Sequence, residues 1–300
     1  MRKPVFLLLL SFLLISFSSS AQRWKRIRFE HVFGLGASNF LGDLGGANQI
    51  GTNFARDLEL STTRLAVNYG IRYKLTEYIA LKSSLTYAKI KGDDKLTQEY
   101  SRNNRNLSFR SPVVELAFQI EPSFIRERAG HKYKLEGIKG KKGFAINAFP
   151  FIGIAMFYFN PRAEYGGDWH SLQPLSTEGQ GFFLTRKKYS RFQIAIPYGV
   201  GAKYGFKQNW SFGFEFGMRK TFTDYLDDVS TTYIDNEYIL LQKGEIAAAL
   251  ADRSDGSAPE KTVAGQQRGD PSDNDSYFFA IFSLNLKFSW KEGEGSRPKF

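Results

Sequence analysis

The feature of this sequence that most constrains its fold is a period-two alternation of side chains, repeated in eight segments that turn residues separate. In residues 277–290 (YFFAIFSLNLKFSW), every second residue from Phe278 to Trp290 is apolar, and the residues between them become polar toward the end. A period of two places alternate side chains on opposite faces of a β-strand. The pattern therefore predicts strands at about 27–41, 63–75, 78–91, 107–122, 144–159, 190–206, 209–222 and 277–290.

Soluble sandwiches and membrane barrels both produce this alternation, so the composition of the two faces has to separate them. The polar faces are rich in Gly and Ala with scattered ions of both signs, which suits the narrow interior of a small barrel. The apolar faces are large and aromatic, in a chain with 28 Phe and 15 Tyr, as a lipid-facing surface should be. We predict an all-β fold, an eight-stranded antiparallel transmembrane β-barrel with long extracellular loops. A secreted β-sandwich is the alternative.

The charged residues of the polar faces are predicted to fill the barrel. The interior of eight strands is just wide enough for side chains, so we expect no water-filled channel. Glu121, Lys82 and Lys287 also lie on these faces. The main candidates for interior ion pairs are Arg64, Arg72, Glu115, Lys203, Glu215 and Arg219.

The N-terminus reads as a secretory signal peptide of residues 1–21. Arg2 and Lys3 form its basic start, and the apolar run that follows is too short to span a bilayer. Small residues precede a cleavage site between Ala21 and Gln22. We therefore expect export to the bacterial outer membrane and one barrel domain over residues 22–300. The chain has no Cys, which excludes disulfides and a lipid-anchored N-terminus.

The connections between predicted strands alternate in length. Two are tight turns, and one other (123–143) is long where a short turn is expected. In outer-membrane barrels short turns lie in the periplasm and longer loops lie outside. The long outer connections are predicted at 42–62, 92–106, 160–189 and 223–276, with a short helix within 237–254 of the last.

Charge is distributed unevenly between the two predicted sides of the membrane. The 123–143 turn holds seven Lys/Arg and two Glu, a net charge of +5, whereas the 223–276 loop has a net charge of −8. A basic periplasmic turn attracts an acidic partner over a long range, although a merely solvated turn is the alternative. We predict that a partner docks on Arg126, Arg128, Lys132, Lys134, Lys139, Lys141 and Lys142. No basic and aromatic pattern typical of nucleic-acid binding occurs.

Candidates for chemistry are few. The acidic run 223–235 lacks the spacing of a calcium loop. His170 is adjacent to Ser171, but neighbours on a strand point in different directions, which argues against a nucleophile and base pair. We predict no catalytic residue, no cofactor and no metal. An outer-membrane hydrolase is the least favoured hypothesis.

Several blocks of this sequence resemble the PorG family of outer-membrane barrels. These blocks are GLGASNFLGDLGGAN (34–48), TRLAVNYGIRYKLTEYIALKSSLTYAKIKGDD (63–94), DWHSLQPLSTEGQG (168–181) and PYGVGAKYGFKQNWSFGFEFGMRKTFTDYLDDVSTTYID (197–235). The resemblance implies a small barrel of the type IX secretion system, accompanying a periplasmic ring of PorK-like lipoprotein and PorN-like subunits. It implies a structural anchor for secretion and gliding motility rather than an enzyme. No family pattern matches the 123–143 and 242–276 segments. An OmpA-like structural barrel or an adhesin acting through its extracellular loops is the alternative.

Overall fold

The computed structural model describes residues 28–44, 60–97, 99–125, 145–207 and 209–288. Within these ranges the chain forms one sheet with eight long strands and a short hairpin. The strands are β1 (Phe29–Leu41), β2 (Arg64–Lys74), β3 (Ile79–Asp93), β4 (Ser108–Pro122), β5 (Ile146–Phe159), β6 (Arg162–Tyr165), β7 (Asp168–Ser171), β8 (Phe192–Gly205), β9 (Trp210–Thr221) and β10 (Ser276–Phe288).

The long strands close into a barrel. Each pairs antiparallel with the long strands before and after it, with β5 and β8 as neighbours around the short β6–β7 hairpin. β1 then pairs with β10 in a register that runs from Phe29 opposite Phe288 to Leu41 opposite Ser276. The predicted fold class is therefore confirmed. Within the described residues, the observed strand ends lie within two residues of the predicted ones.

The apolar face of each strand lies on the outside of the barrel. In β2, Leu65 is 67% exposed, while the next residue, Ala66, is fully buried, and the alternation continues through Arg72, which is 1% exposed. Large exposed apolar side chains of this kind occur on all eight long strands. A sheet closed on itself with its apolar face outward is the construction of a transmembrane barrel and excludes the sandwich.

The two ends of the barrel differ, and we call them the turn end and the loop end. At the turn end β2 and β3 are joined by a tight turn in which Thr76 accepts hydrogen bonds from the main chain of Tyr78 and Ile79. Beyond β4, Ile125 and Ala148 exchange main-chain hydrogen bonds of 3.3 and 3.1 Å. Residues 126–143 of the predicted basic turn lie outside the described ranges.

Three short α-helices lie in the described parts of the loop-end connections. They are α1 (Tyr100–Arg105), α2 (Asn236–Lys243) and α3 (Glu245–Ala251). Asp235 caps α2, and Gly244, with a φ of 86°, separates α2 from α3. The predicted helix within 237–254 is thus confirmed as a pair of helices. In the part of the chain that the structure describes, no helix is long and apolar enough to cross a membrane.

Candidate functional site

The lumen near the turn end is filled by charged side chains around Arg72. Its guanidinium donates to Glu121 through Nε, to Glu30 through Nη1 at 3.2 Å, and to Glu215 through Nη2 at 2.9 Å. These three carboxylates come from β4, β1 and β9, so one side chain joins strands from opposite walls of the barrel.

Three lysines complete this network, which we call the ionic layer. Lys203 donates to Glu30 at 2.7 Å, Lys74 lies 3.2 Å from the same carboxylate, and Lys82 donates to Glu215. Most of these side chains are almost fully buried. The described residues of the ionic layer are three carboxylates and four cations: Glu30, Glu121, Glu215, Arg72, Lys74, Lys82 and Lys203. A buried charge requires such partners, so the layer depends on each of its members.

A second buried ion pair lies above the ionic layer, toward the loop end. Arg219 donates to Glu115 at 3.2 Å, and the hydroxyl of Tyr277 donates to the same carboxylate at 2.7 Å. The guanidinium of Arg219 also stands 4.2 Å from the centre of the Phe279 ring. This pair connects the charged part of the lumen to an aromatic part.

Five of the six predicted ion-pair residues lie in these networks, and the sixth does not. Arg64 is on the same face of β2 as Arg72, but among the described residues it donates to the main-chain carbonyls of Ser61 and Thr63 and to no carboxylate. Its position at the loop-end start of β2 places it beyond the ionic layer. Sequence reasoning also missed Glu30, whose only signal was a charged residue at an inward position of β1. Lys287 lies opposite Glu30 in the pairing of β1 with β10.

The loop-end half of the lumen is filled by rings, which we call the aromatic layer. Phe157 packs on Tyr277 with a distance of 5.4 Å between ring centres, and Phe40 packs edge-on against Phe109 at 4.9 Å. All are almost fully buried, and the layer consists of Phe40, Phe109, Phe157, Phe159, Tyr189, Tyr277 and Phe279. On the inward face of β5, Phe157 and Phe159 belong to this layer, while the centre of the Phe149 ring lies 5.3 Å from the guanidinium of Arg72. The outward face of β5 is exposed and apolar, so the strand is apolar on both faces.

The loop-end connections fold over the barrel into a cap, which comprises the described residues of 94–107, 160–191 and 222–275. Buried ion pairs hold it together: Arg268 lies 2.9 Å from Glu178, and Arg105 lies 2.8 Å from Asp94. Glu178 also accepts hydrogen bonds from the main chain of Ser230 at 3.0 Å. Within the 223–276 loop, Asp224, Asp227, Asp228 and Asp275 are also buried, so part of its negative charge faces inward.

A group of carboxyls lies where the cap meets the barrel. Asp227 accepts from the main chain of Leu44, and Asp275 accepts from that of Leu226. Asp224 is 7% exposed, and within the described residues no hydrogen bond of normal geometry reaches either of its carboxylate oxygens. Burial, together with the charges of neighbouring carboxylates, raises the pKa of Asp224 to about 8, and it raises the pKa values of Asp227 and Asp275 well above their usual range.

The calcium site and the His170–Ser171 pair, which the sequence analysis disfavoured, can be compared with the geometry of the described residues. No three His, Asp or Glu side chains converge there as a metal ion would require. The hydroxyl of Ser171 lies 3.1 Å from the side-chain amide of Asn160, and no hydrogen bond joins it to His170 in the described part of the chain. The docking residues Arg126, Arg128, Lys132, Lys134, Lys139, Lys141 and Lys142 lie outside the described ranges, as does the predicted signal peptide. Docking on the basic turn stays a prediction.

The strand pairing, the outward apolar face and the filled lumen define the class of protein: an eight-stranded barrel of the outer-membrane type. The chain belongs to the family described as "Domain of unknown function (DUF6089)", whose model matches residues 4–162. That match extends from the N-terminal segment to the start of β6.

Several solved barrels are similar to this chain. The N-terminal β-barrel domain of Pseudomonas aeruginosa OprF is 8% identical, with 87% of this chain and 98% of that chain covered and a TM-score of 0.33. Neisserial surface protein A is 8% identical, with 87% and 96% covered and a TM-score of 0.37. OprG from Pseudomonas aeruginosa is 9% identical, with 88% and 98% covered and a TM-score of 0.37. Comparison with curated proteins finds no match.

Proposed function

We propose that this protein is a non-enzymatic component of the type IX protein secretion and gliding machinery in the bacterial outer membrane. In this proposal the turn end faces the periplasm, and the barrel anchors or accompanies a ring of PorK-like lipoprotein and PorN-like subunits. The resemblance to the PorG family over residues 34–48, 63–94, 168–181 and 197–235 motivates the assignment.

The observation that carries an anchoring role is the filled lumen. The ionic layer and the aromatic layer occupy successive levels of the barrel, and the cap covers the loop end. An eight-stranded barrel has no further space for a polypeptide to pass. A protein of this construction contributes to secretion by position and contact rather than by conducting cargo.

The basic turn is the proposed contact with the ring. Its net charge of +5 favours an acidic periplasmic surface, and the strands on either side of it fix its two ends at the membrane. Reversing Lys139, Lys141 and Lys142 to Glu changes the net charge of the turn from +5 to −1. Exposed turn charges contribute little to stability, so the barrel should still fold and show heat-modifiable migration.

The experiment is to measure ring recovery in pull-downs and cargo export with this triple variant. A matched control reverses Lys187, Lys188 and Lys261 to Glu, which removes the same charge from exposed positions of the cap. The proposal expects ring recovery and export to fall for the turn variant alone. Equal recovery by the turn variant and the parent would mean that the turn is only a solvated loop.

An OmpA-like structural barrel or an adhesin is the second candidate. The observation that favours it is the apolar surface of the folded cap, where Leu184 is fully exposed and Leu241 is 82% exposed. Phe183, next to Leu184, stacks on Tyr238 of α2 with 5.8 Å between ring centres, so the exposed apolar residues of the two segments lie on one surface. Contiguous exposed apolar patches mark interaction surfaces. Replacing both residues with Ser distinguishes the candidates, because an adhesin would lose surface binding and keep export intact.

A further inference from the structure

A pocket of about 250 Å³ opens in the cap beside α2 and α3. It lies between the start of α2, the end of α3 and residues 262–264. The volume is just below the roughly 300–1,000 Å³ of typical small-molecule sites, so an occupant must be small. This pocket is remote from the basic turn, and nothing in the proposed anchoring role uses it.

One side of the pocket is apolar and fixed in place. Ile239 and Ala251 line it from α2 and α3, and both belong to a small buried cluster that packs the two helices together. On another side, Tyr233 is tied to the segment after Val263 by main-chain hydrogen bonds of 2.9 Å to Gln266 and from Gly265. The walls therefore come from packed helices and a hydrogen-bonded segment.

The polar side of the pocket is acidic. Asp235 and Asp252 line it, and no Lys or Arg does so among the described residues. Each carboxylate uses one oxygen locally: Asp235 accepts from the main chain of Glu237, and Asp252 accepts from that of Ser254, both at 3.0 Å. No ion pair within the described ranges involves either carboxylate, so the second oxygen of each is available to a ligand.

We propose that this pocket binds a small organic cation, a primary ammonium carried on a short aliphatic chain. The ammonium donates to Asp235 and Asp252, and the aliphatic chain packs on Ile239 and Ala251. Two carboxylates on a pocket wall that no described Lys or Arg lines favour positive charge and repel anions such as phosphates or sugar acids. Two sources carry this chemistry at a cell surface: a free diamine and a lysine side chain of a peptide.

The test is calorimetric titration of the full-length protein in detergent micelles with putrescine, with 1,4-butanediol, and with a blocked Gly-Lys-Gly peptide. Putrescine and butanediol have the same carbon chain and differ in charge. We expect saturable binding of putrescine, of the peptide or of both, and none of the diol. Binding of the peptide alone identifies a lysine side chain as the ligand, and binding of putrescine identifies a free amine.

Two variants locate the site. Asp235→Asn and Asp252→Asn keep the oxygen that accepts the local main-chain hydrogen bond, and Asn is also a good helix cap. Each should weaken binding about fivefold, the upper end of what an exposed ion pair contributes. Heat-modifiable migration of each variant shows whether the barrel has folded.

The matched control is Asp255→Asn. Asp255 accepts from the main chain of Ser257 at 2.8 Å, in the same local arrangement as Asp252, but it does not line the pocket. Its substitution should leave binding unchanged. Absence of saturable binding by both amines, equal binding of the diol, or an equal loss with Asp255→Asn would each overturn the proposal.

Discussion

The two halves of the lumen are filled by opposite chemistry. The ionic layer at the turn end joins its strands through directional bonds, such as those from Arg72 to Glu30 and Glu121. The aromatic layer at the loop end joins its strands by packing alone in most places, as between Phe40 and Phe109. The comparison indicates that the stability of the ionic layer depends on the charge and shape of each side chain. The stability of the aromatic layer depends mainly on how completely its side chains fill the lumen.

The inward aromatic rings of β5 fit into the lumen because facing strands carry glycine at the positions of contact. A Cβ atom on Gly201 of β8 would lie 2.6 Å from Phe149, and one on Gly217 of β9 would lie 2.5 Å from Phe151. These distances are shorter than normal contacts, so larger residues at either position would displace a ring. Glycine on two strands thus makes room for phenylalanine on a third.

The largest effect is expected for Arg72→Met. This substitution leaves Glu30, Glu121 and Glu215 with fewer partners in a buried site, and breaking a buried pair in this way costs about 3–5 kcal/mol. Urea unfolding in lipid vesicles, followed by heat-modifiable migration, measures the loss.

Arg64→Met is the control for this substitution. Arg64 lies on the same face of the same strand and donates to main-chain carbonyls near the loop end. Its loss should therefore destabilise the barrel much less. Equal free energies of unfolding for the two variants would show that the ionic layer has no special role.

A smaller effect is expected for Phe157→Leu in the aromatic layer. Leu keeps most of the volume beside Tyr277 and Phe159, and such conservative changes usually cost less than about 1.5 kcal/mol. The corresponding conservative change in the ionic layer, Arg72→Lys, should cost more, because one ammonium cannot reproduce the guanidinium contacts to three carboxylates. Equilibrium unfolding of both variants compares them, and the reverse ranking would contradict the difference between the layers.

A change of pH is expected to have the smallest effect on the stability of the barrel. Its effect on the stability of the cap should be measurable. The folded-state pKa of Asp224 is raised from 3.8 to about 8, so the folded cap binds a proton that the unfolded chain releases. This contribution is fully present below about pH 4 and is lost as the pH rises toward 8. Asp227, Asp275 and Asp43 act in the same direction because burial and mutual repulsion raise their pKa values also.

Limited proteolysis measures this pH dependence, with the 223–276 segment compared at pH 5 and pH 9. We expect faster cleavage of the cap at pH 9 in the parent and a smaller difference in Asp224→Asn. Asp255→Asn serves as a control, since the pKa of this exposed carboxyl is lowered by its hydrogen bonds with Ser257 and its charge is not among those that raise the pKa of Asp224. Slower cleavage at pH 9 would contradict the protonated state of the cluster.

The sequence predicted the fold well because alternation is a local signal. A period of two determines which face a side chain occupies, and strands assigned in this way agree with the observed ones. It does not determine height in the barrel, because height depends on pairing between strands. Arg64 and Arg72 share a face of β2, but Arg64 pairs with Ser38 and Arg72 with Glu30, eight residues apart along β1.

The cap was the least predictable region. A helix within 237–254 was expected because it is local, whereas α1 was not predicted. The buried contacts of the cap join residues far apart in the sequence. Arg268 meets Glu178, and Tyr189 donates to Asp228 at 2.6 Å. From composition alone the 223–276 loop is an acidic, solvated segment. In the structure, several of its acidic side chains are buried and hydrogen-bonded inside the cap. The number of charges in the sequence does not show which ones are buried.

The central claim is that the ionic and aromatic layers close the lumen, so that the barrel conducts no ions. Planar-bilayer recording of the purified protein tests this directly. The account predicts no steady conductance in the nanosiemens range, since eight strands filled by these side chains leave no aqueous path. A steady nanosiemens conductance would contradict it.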